Sequence, residues 1–207
     1  MLNDVVHWIR EVTGRAHAER LRAAERDPWH RLELEPPLRA FGPGAVDDFA
    51  RYLDRESRVE VTSPRDAASW LLTCRYADDH LLLGEHDLWQ HPCTFELVRS
   101  GDCEDYSLWA WRKLVEAGYH TDFVVGVRHR PDGRSGRHAW VIFRERGEEF
   151  VLDGVERSVD TIIRALPDVR ASYEPQVGVS HEGRRFAFAG LYRTEWGRSL
   201  VLPRARR

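Results

Sequence analysis

The sequence predicts an α+β fold in which helices dominate the first half of the chain and antiparallel strands the second. Apolar residues recur at helical spacing before residue 118, most clearly within residues 102–118. After residue 118, most apolar residues alternate or run together in short stretches separated by turn signals, which is typical of hairpin strands. With 207 residues, of which 42% are hydrophobic, the chain is long enough for one packed domain with an extension.

The first 58 residues are predicted to form a helical extension. Its helices are placed at residues 3–12, 15–26 and 45–54. We interpret the extension as a cover or regulator of the main domain, and plain packing is the simpler alternative. The main domain is predicted at residues 59–195, and residues 196–207 are predicted to form a basic tail.

Composition excludes several classes of protein. The formal net charge of −3 gives no basic excess for nucleic acid or for a charged membrane surface. Three cysteines are too few, and odd in number, for a disulfide framework. The first residues lack a signal-peptide pattern, and no run approaches the ~18 apolar residues of a membrane span. We therefore expect a cytoplasmic protein without a nucleic-acid or membrane partner; oligomeric state is left open.

One cysteine lies at the start of a predicted helix. Asp102 is a good N-cap, Asp105 follows at capping-box spacing, and Gly118 is placed to end the helix. Cys103 then lies in the first turn, where free N–H groups and the helix dipole favour a thiolate. The neighbouring acids raise a thiol pKa, so a cationic partner such as protonated histidine is needed.

Other helices are expected before this one and a short helix after it. Ser63-Pro64 is a typical start, and that helix is expected to reach Tyr76 and to bury Cys74. A short helix is placed at residues 93–98. A further helix is expected at Ser158–Leu166.

Three strands follow the cysteine helix and supply a histidine and an aspartate. They are placed at residues 119–129, 138–143 and 150–153, and a last hairpin at residues 172–179 and 184–189. A turn centred between Glu145 and Arg146 pairs His138 directly with Asp153, with Cβ atoms ~5 Å apart. A bulge at Gly147 would slip this register by one residue. Thiol, base and orienting carboxylate are the parts of a nucleophilic catalyst.

These residues resemble the transglutaminase-like superfamily, and most closely the bacterial transglutaminase-like cysteine proteinases. The resemblance covers roughly residues 60–190. It is carried by three motifs, Gly101-Asp102-Cys103-Glu104-Asp105-Tyr106, Arg137-His138-Ala139-Trp140-Val141 and Val151-Leu152-Asp153, with detail from Asp87-Leu88-Trp89-Gln90-His91-Pro92 and Tyr173-Glu174-Pro175. Known members of this branch are periplasmic and cut surface adhesins, whereas this chain begins without a signal-peptide pattern.

The resemblance implies a papain-like fold whose nucleophile helix packs on an antiparallel sheet. Residues 59–195 would be the catalytic domain, and a peptide or protein the substrate. Cys103 would attack an amide carbonyl, His138 would take its proton, and Asp153 would orient the imidazole. The Cys103 N–H would form half of the oxyanion hole, and Gln90 or Trp89 the other half, unless both are plain core or helix-entry residues.

The acids that flank the cysteine have two alternative roles, and the resemblance implies the first of them. Asp102 and Glu104 occupy the positions through which some members bind calcium. Ordinary N-capping by Asp102 and Asp105 is the alternative, and the chemistry itself requires no cofactor.

Other functions stay open beside hydrolysis of a peptide or amide. Transamidation uses the same triad with an amine as acceptor, and a non-catalytic peptide-binding module would keep only the fold. The three triad candidates could also be unrelated core or surface residues. A metal site from His86, His91, Cys93 and Cys103 is a further alternative, although its spacing matches no standard zinc pattern.

Overall fold

The computed structural model describes residues 26–32, 35–79 and 88–193. The expected helix at residues 3–12 and the tail at residues 196–207 lie outside this part. Of the expected helix at residues 15–26, the structure describes residue 26 alone. Within the described ranges, no helix is long and apolar enough to cross a membrane. The cytoplasmic location and the boundary after residue 58 stay predictions.

Seven of the described strands form one sheet in which every neighbouring pair is antiparallel. The strands, numbered along the chain, are β1 (Arg31–Leu32), β4 (Thr121–His129), β5 (Ser135–Glu145), β6 (Glu148–Leu152), β7 (Ile163–Ala165), β8 (Tyr173–Ser180) and β9 (Arg185–Phe188). Their order is β1-β9-β8-β4-β5-β6-β7. A separate parallel pair joins β2 (Arg75–Tyr76) to β3 (Ser100–Gly101).

The helices lie mostly before the sheet in sequence. They are α1 (Pro64–Leu71), α2 (Pro92–Val98), α3 (Cys103–Glu116), α4 (Val159–Ile162) and α5 (Leu166–Val169), with 3-10 turns at Phe49–Leu53, Arg170–Ser172 and Ala189–Tyr192. Helix α3 packs against β4 and β5. The predicted α+β fold, with a cysteine helix on an antiparallel sheet, is therefore confirmed.

Strand β5 separates two apolar layers because its side chains alternate between the faces of the sheet. Ala139, Val141 and Phe143 belong to the large core that contains the fully buried Trp109 and Trp111 of α3. The neighbouring Trp140 and Ile142 belong to a smaller core on the opposite face, which the sequence alternation did not reveal.

Helix α3 begins and ends as the sequence predicts. Cys103 is its first residue, and the Asp105 carboxylate accepts a hydrogen bond from the Asp102 N–H at 3.4 Å, as in a capping box. The helix ends at Glu116, and Gly118 has a φ of +81°, which suits a glycine in the C′ position.

The predicted helix from Ser63 to Tyr76 is too long. Ser63 caps it and Pro64 is its first residue, as expected, but α1 ends at Leu71. Arg75 and Tyr76 instead form β2, whose parallel partner β3 leads directly into Cys103. Backbone pairing with a distant segment overrides the local helical spacing here. Cys74 packs partly buried against the large core, as predicted.

The predicted β5–β6 register is wrong by two residues. Glu145 pairs with Glu148, so the turn is Arg146-Gly147, where both residues have positive φ (53° and 85°). A two-residue turn of this kind matches the twist of the hairpin. The shift makes His138 and Asp153 diagonal instead of direct neighbours. A shift of two keeps both side chains on the same face, so they still meet.

Two further helix predictions differ from the structure. The segment Ser158–Leu166 splits into α4 and β7, because residues 163–165 pair with β6 and extend the sheet. The expected helix at residues 45–54 is only the 3-10 turn Phe49–Leu53. The described part of the extension also adds β1 to the sheet edge, and Phe49 is buried in the large core.

Candidate active site

Gly101 allows the chain to approach the start of α3 closely. A Cβ atom at this position would lie 2.1 Å from the Asp105 Oδ2 atom, well inside any real contact. Only glycine therefore lets β3 pass the Asp105 carboxylate and place Cys103 as the first residue of the helix. This close approach gives the Gly-Asp-Cys sequence its physical basis.

Gln90 holds this turn from the other side. Asp105 accepts hydrogen bonds from the Gln90 backbone N–H at 2.7 Å and from its side-chain amide at 2.6 Å. The same amide nitrogen also donates to the Ser100 carbonyl at 3.0 Å, so both of its N–H groups are used. Gln90 is thus a structural ligand of Asp105 in this geometry, while the adjacent Trp89 lines the cavity beside Cys103.

His138 and Asp153 form the hydrogen bond that the sequence predicted. The His138 Nε2 atom lies 2.9 Å from Asp153 Oδ2, and both side chains are buried. His138 comes from β5, and Asp153 directly follows β6. Since Nε2 is engaged, Nδ1 is the ring nitrogen that remains for a substrate or a thiol.

Asp153 has two further partners that sequence reasoning missed. Its Oδ2 atom accepts a hydrogen bond from the Tyr173 hydroxyl at 2.7 Å and lies 2.9 Å from Arg128 Nη1. Burial alone would raise the pKa of Asp153, but His138, Arg128 and Tyr173 together hold that pKa below its usual value. The carboxylate is therefore ionised around neutral pH.

The sequence contained a weak indication that Arg128 has a charged partner. The residue continues β4, whose first six residues are all buried, so a charge at its half-buried end needs a partner. For Tyr173, the only sequence indication was the Tyr173-Glu174-Pro175 motif, which is part of the family resemblance. Which carboxylate these groups reach depends on strand order, because β4 lies between β5 and β8.

Cys103 and His138 line one cavity of about 330 Å³. Its wall also includes Phe41, Tyr76, Trp89, Val125, Arg137 and Ala139, with four acids, Asp78, Asp79, Asp102 and Glu104. The Cys103 Sγ atom lies 3.1 Å from Glu104 Oε2. Burial, and then the charges of Glu104 and Asp102, raise the pKa of the Cys103 thiol well above its usual value.

Three of the cavity acids form a cluster, which we call the acidic collar: Asp79, Asp102 and Glu104. One carboxylate oxygen from each lies within 4.8 Å of the others. Burial and the contact with Asp102 raise the pKa of Glu104 to about 10. Oxygen-only donors are those that calcium prefers. The sequence named Asp102 and Glu104, but Asp79 arrives from a distant segment.

The alternative metal site does not assemble from its described members. His91 Nε2 lies 2.9 Å from the Arg51 carbonyl, and its Nδ1 accepts the Cys93 N–H at 3.1 Å. The Cys93 Sγ atom contacts Arg112 at 3.2 Å, away from the Cys103 cavity. His86 lies outside the described residues.

The comparison with family models agrees with the resemblance. Residues 72–165 match the family model described as bacterial transglutaminase-like cysteine proteinase. Solved structures of LapG from Legionella pneumophila, one of them calcium-bound, share 19% identity at a TM-score of 0.47, covering 67% of this chain and 75% of that one. An EGTA-treated form scores 0.43, with 19% identity over 63% of this chain and 69% of that one. No curated protein matches.

Proposed function

We propose that this chain, a transglutaminase-like cysteine proteinase by its match over residues 72–165, hydrolyses peptide or amide bonds through Cys103, His138 and Asp153. The observation that carries the proposal is the 2.9 Å contact of His138 Nε2 with Asp153 Oδ2, at a histidine that shares a cavity with Cys103. That contact leaves His138 Nδ1 for the thiol. The substrate class that follows from the family is a peptide or protein.

The first chemical step is attack on the amide carbonyl. His138 Nδ1 takes the thiol proton as the Cys103 sulfur bonds to the carbonyl carbon. The resulting imidazolium is stabilised by the Asp153 carboxylate, which stays ionised because Arg128 and Tyr173 also contact it. The imidazolium then gives its proton to the amine nitrogen as the carbon–nitrogen bond breaks, and a thioester on Cys103 remains.

Water completes the reaction. His138 takes a proton from the water while the water oxygen attacks the thioester carbon. The Cys103 thiolate then leaves with the carbon–sulfur electron pair. An amine in place of water would give transamidation, which is the alternative activity of the same triad. The cavity walls decide which acceptor enters.

Two groups are proposed for the oxyanion. The backbone N–H of Cys103 belongs to the first turn of α3, where helix N–H groups lack intrahelical acceptors. Trp89 lines the same cavity and is our candidate for the second contact. Gln90 is the weaker candidate, because both N–H groups of its amide are directed to Asp105 and Ser100.

We further propose that the acidic collar of Asp79, Asp102 and Glu104 holds a calcium ion. Its donors are all oxygen and converge within 4.8 Å, and burial together with the contact to Asp102 raises the pKa of Glu104 to about 10. A bound cation would neutralise carboxylates that otherwise oppose a thiolate at Cys103. Without a cation, Asp102 serves as the N-cap of α3.

The test is covalent trapping on Cys103. Wild-type protein is incubated with a peptide library or cell extract, quenched in acid, and searched by mass spectrometry for a thioester on each cysteine. We expect an acyl adduct on Cys103 that hydroxylamine releases, and none in Cys103→Ala or His138→Ala protein. A labelled primary amine added to the reaction separates transamidation, which incorporates the label, from hydrolysis.

The matched control is Cys93→Ser, which removes a thiol outside the cavity and should keep full activity. Iodoacetamide labelling at neutral pH adds a second readout, in which Cys103 should react faster than Cys74 and Cys93. Undiminished turnover by Cys103→Ala would refute the proposed function. Equal labelling of all three cysteines without turnover would favour the non-catalytic binding module.

A further inference from the structure

We propose that an arginine-lined groove beside the active-site cavity binds an acidic side chain of the substrate. The inference rests on the proposed function and deepens it, because it assigns a substrate class to the same site. The groove measures about 580 Å³. It is lined by Tyr76, by the four arginines Arg128, Arg130, Arg134 and Arg157, and by two carboxylates.

Positive charge exceeds negative charge in this groove. Four arginines line it against two carboxylates, Asp132 and Glu156. Asp132 is paired with Arg134 at 2.6 Å, and Glu156 is paired with Arg128, which also contacts Asp153. Two guanidinium groups are therefore in excess of the groove's own acids.

Arg130 and Arg157 provide this excess. Both are exposed, and neither has a carboxylate within 4.0 Å among the described residues. A guanidinium group without a partner, set in a concave surface, is suited to a carboxylate because its planar N–H donors match the two oxygens.

Tyr76 joins the groove to the active site. Its side chain lines both the groove and the cavity that contains Cys103 and His138. Tyr76 pairs with Gly101 where β2 meets β3, two residues before Cys103. An extended peptide advances ~3.3 Å per residue, so a peptide whose carbonyl lies at Cys103 reaches Tyr76 within a few residues.

Arg157 is also placed near the start of helix α3. It follows Gly154 by three residues, and a Cβ atom at Gly154 would lie 3.2 Å from the Cβ atom of Tyr106, in the first helical turn after Cys103. The Tyr106 ring lies 6.4 Å from the Tyr76 ring. The arginine is thus on the groove side of the wall that Tyr76 forms.

The two sides of Tyr76 carry opposite charge. The cavity side contains the acidic collar, and the groove side contains Arg130 and Arg157. The guanidinium groups of the groove attract an acidic substrate side chain whether or not the collar holds a cation, so this attraction fixes the direction in which a peptide crosses Cys103. A basic side chain in the groove is disfavoured for the same reason.

The first experiment measures binding without turnover. Fluorescein-labelled hexaglutamate and hexaglutamine are titrated into full-length protein, and anisotropy is recorded at low and at physiological salt. We expect hexaglutamate to bind, and Arg130→Glu/Arg157→Glu to bind it roughly tenfold more weakly, because two exposed ion pairs are replaced by repulsion. The control Arg55→Glu/Arg184→Glu makes the same charge change at exposed arginines outside the groove.

An equal loss of hexaglutamate affinity in both double variants, or an unchanged affinity in the groove variant, would overturn the inference.

The second experiment identifies the cleavage sites in a random peptide library by mass spectrometry. Wild type should enrich Asp and Glu at one position near the cleaved bond, and the groove variant should lose that enrichment. A wild-type profile without acidic enrichment also overturns it. Groove-dependent binding without any Cys103 adduct would instead refute the proposed function alone.

Discussion

The Tyr173 hydroxyl donates a hydrogen bond of 2.7 Å to Asp153 Oδ2, the same oxygen that His138 Nε2 contacts at 2.9 Å. One carboxylate oxygen is thus shared between a tyrosine from β8 and a histidine from β5. The tyrosine fixes where this oxygen lies, and so fixes the plane and position of the imidazole. We regard Tyr173 as a positioning residue, because it acts on the proposed chemistry only through Asp153.

Tyr173→Phe should therefore lower kcat about fivefold to tenfold with little change in KM. It should also lower the free energy of unfolding by about 1–2 kcal/mol, because the hydroxyl donates to Asp153 and accepts a hydrogen bond from Arg164 Nη2 at 2.9 Å. Steady-state kinetics and urea denaturation measure both. The control is Tyr119→Phe, which removes an exposed hydroxyl contact to Glu145 at 3.3 Å. Unchanged kcat in Tyr173→Phe would rule out a positioning role.

Arg128→Met should move the acid limb of the rate profile to higher pH. Arg128 helps to hold the pKa of Asp153 low, so its removal raises that pKa and the carboxylate is protonated at a higher pH. We expect kcat to fall roughly tenfold near neutral pH as well. Arg185→Met is the matched control, since Arg185 also bridges two carboxylates, Glu35 and Asp47, at the opposite sheet edge. An acid limb that stays in place would contradict this role.

The stability contribution of Asp153 should depend on pH. Its folded-state pKa is lowered, so its stabilisation is present above the unfolded value of ~3.8 and is lost as the pH falls through the folded value. Asp153→Asn should lower the free energy of unfolding by about 3–5 kcal/mol at neutral pH, because a buried charge pair is broken. Urea denaturation between pH 3 and 7 should show the difference from wild type narrowing below about pH 4. A constant difference would contradict the ionised state of Asp153.

Gly101→Ala should destabilise the start of helix α3. The new Cβ atom would lie 2.1 Å from Asp105 Oδ2, so either β3 or the helix start has to move. We expect a loss of about 2–4 kcal/mol in unfolding free energy, and a loss of Cys103 labelling in the protein that still folds. Gly136→Ala is the control, because a Cβ atom there meets nothing within 4 Å. Similar effects of both substitutions would show that the close approach is unimportant.

Calcium should raise the melting temperature of the wild-type protein. The ion would bind the folded state through the acidic collar, and mass action then stabilises that state by a free energy that grows with the logarithm of the ligand excess. We expect chelation to reverse the shift, and Asp79→Asn to remove it without changing the melting temperature in chelator. Asp78→Asn, a cavity acid outside the collar, should retain the shift. A shift that survives Asp79→Asn would place the ion elsewhere.

The main features of the Cys103 helix were predictable from sequence because they are local. An N-cap, a capping box and a terminating glycine act within one or two turns, so neighbouring residues suffice to set Cys103 as the first residue of α3. Alternation likewise predicted β4, and short apolar runs predicted β5 and β6. The helical expectation for residues 158–166 failed because pairing of residues 163–165 with β6 is a long-range event.

The sequence by itself determined the order of thiol, histidine and carboxylate, and that the latter two share one face of a hairpin. The face of the hairpin on which a side chain lies could be predicted in spite of the register error. Side chains alternate with a period of two, so a shift of two residues leaves each side chain on the same face. Tertiary structure alone decided which distant groups meet there. Arg128 and Tyr173 reach Asp153 because β4 and β8 are neighbours, and Asp79 reaches Asp102 and Glu104 from a separate segment. These contacts depend on how the strands are ordered and how the chain folds back, which local spacing does not encode.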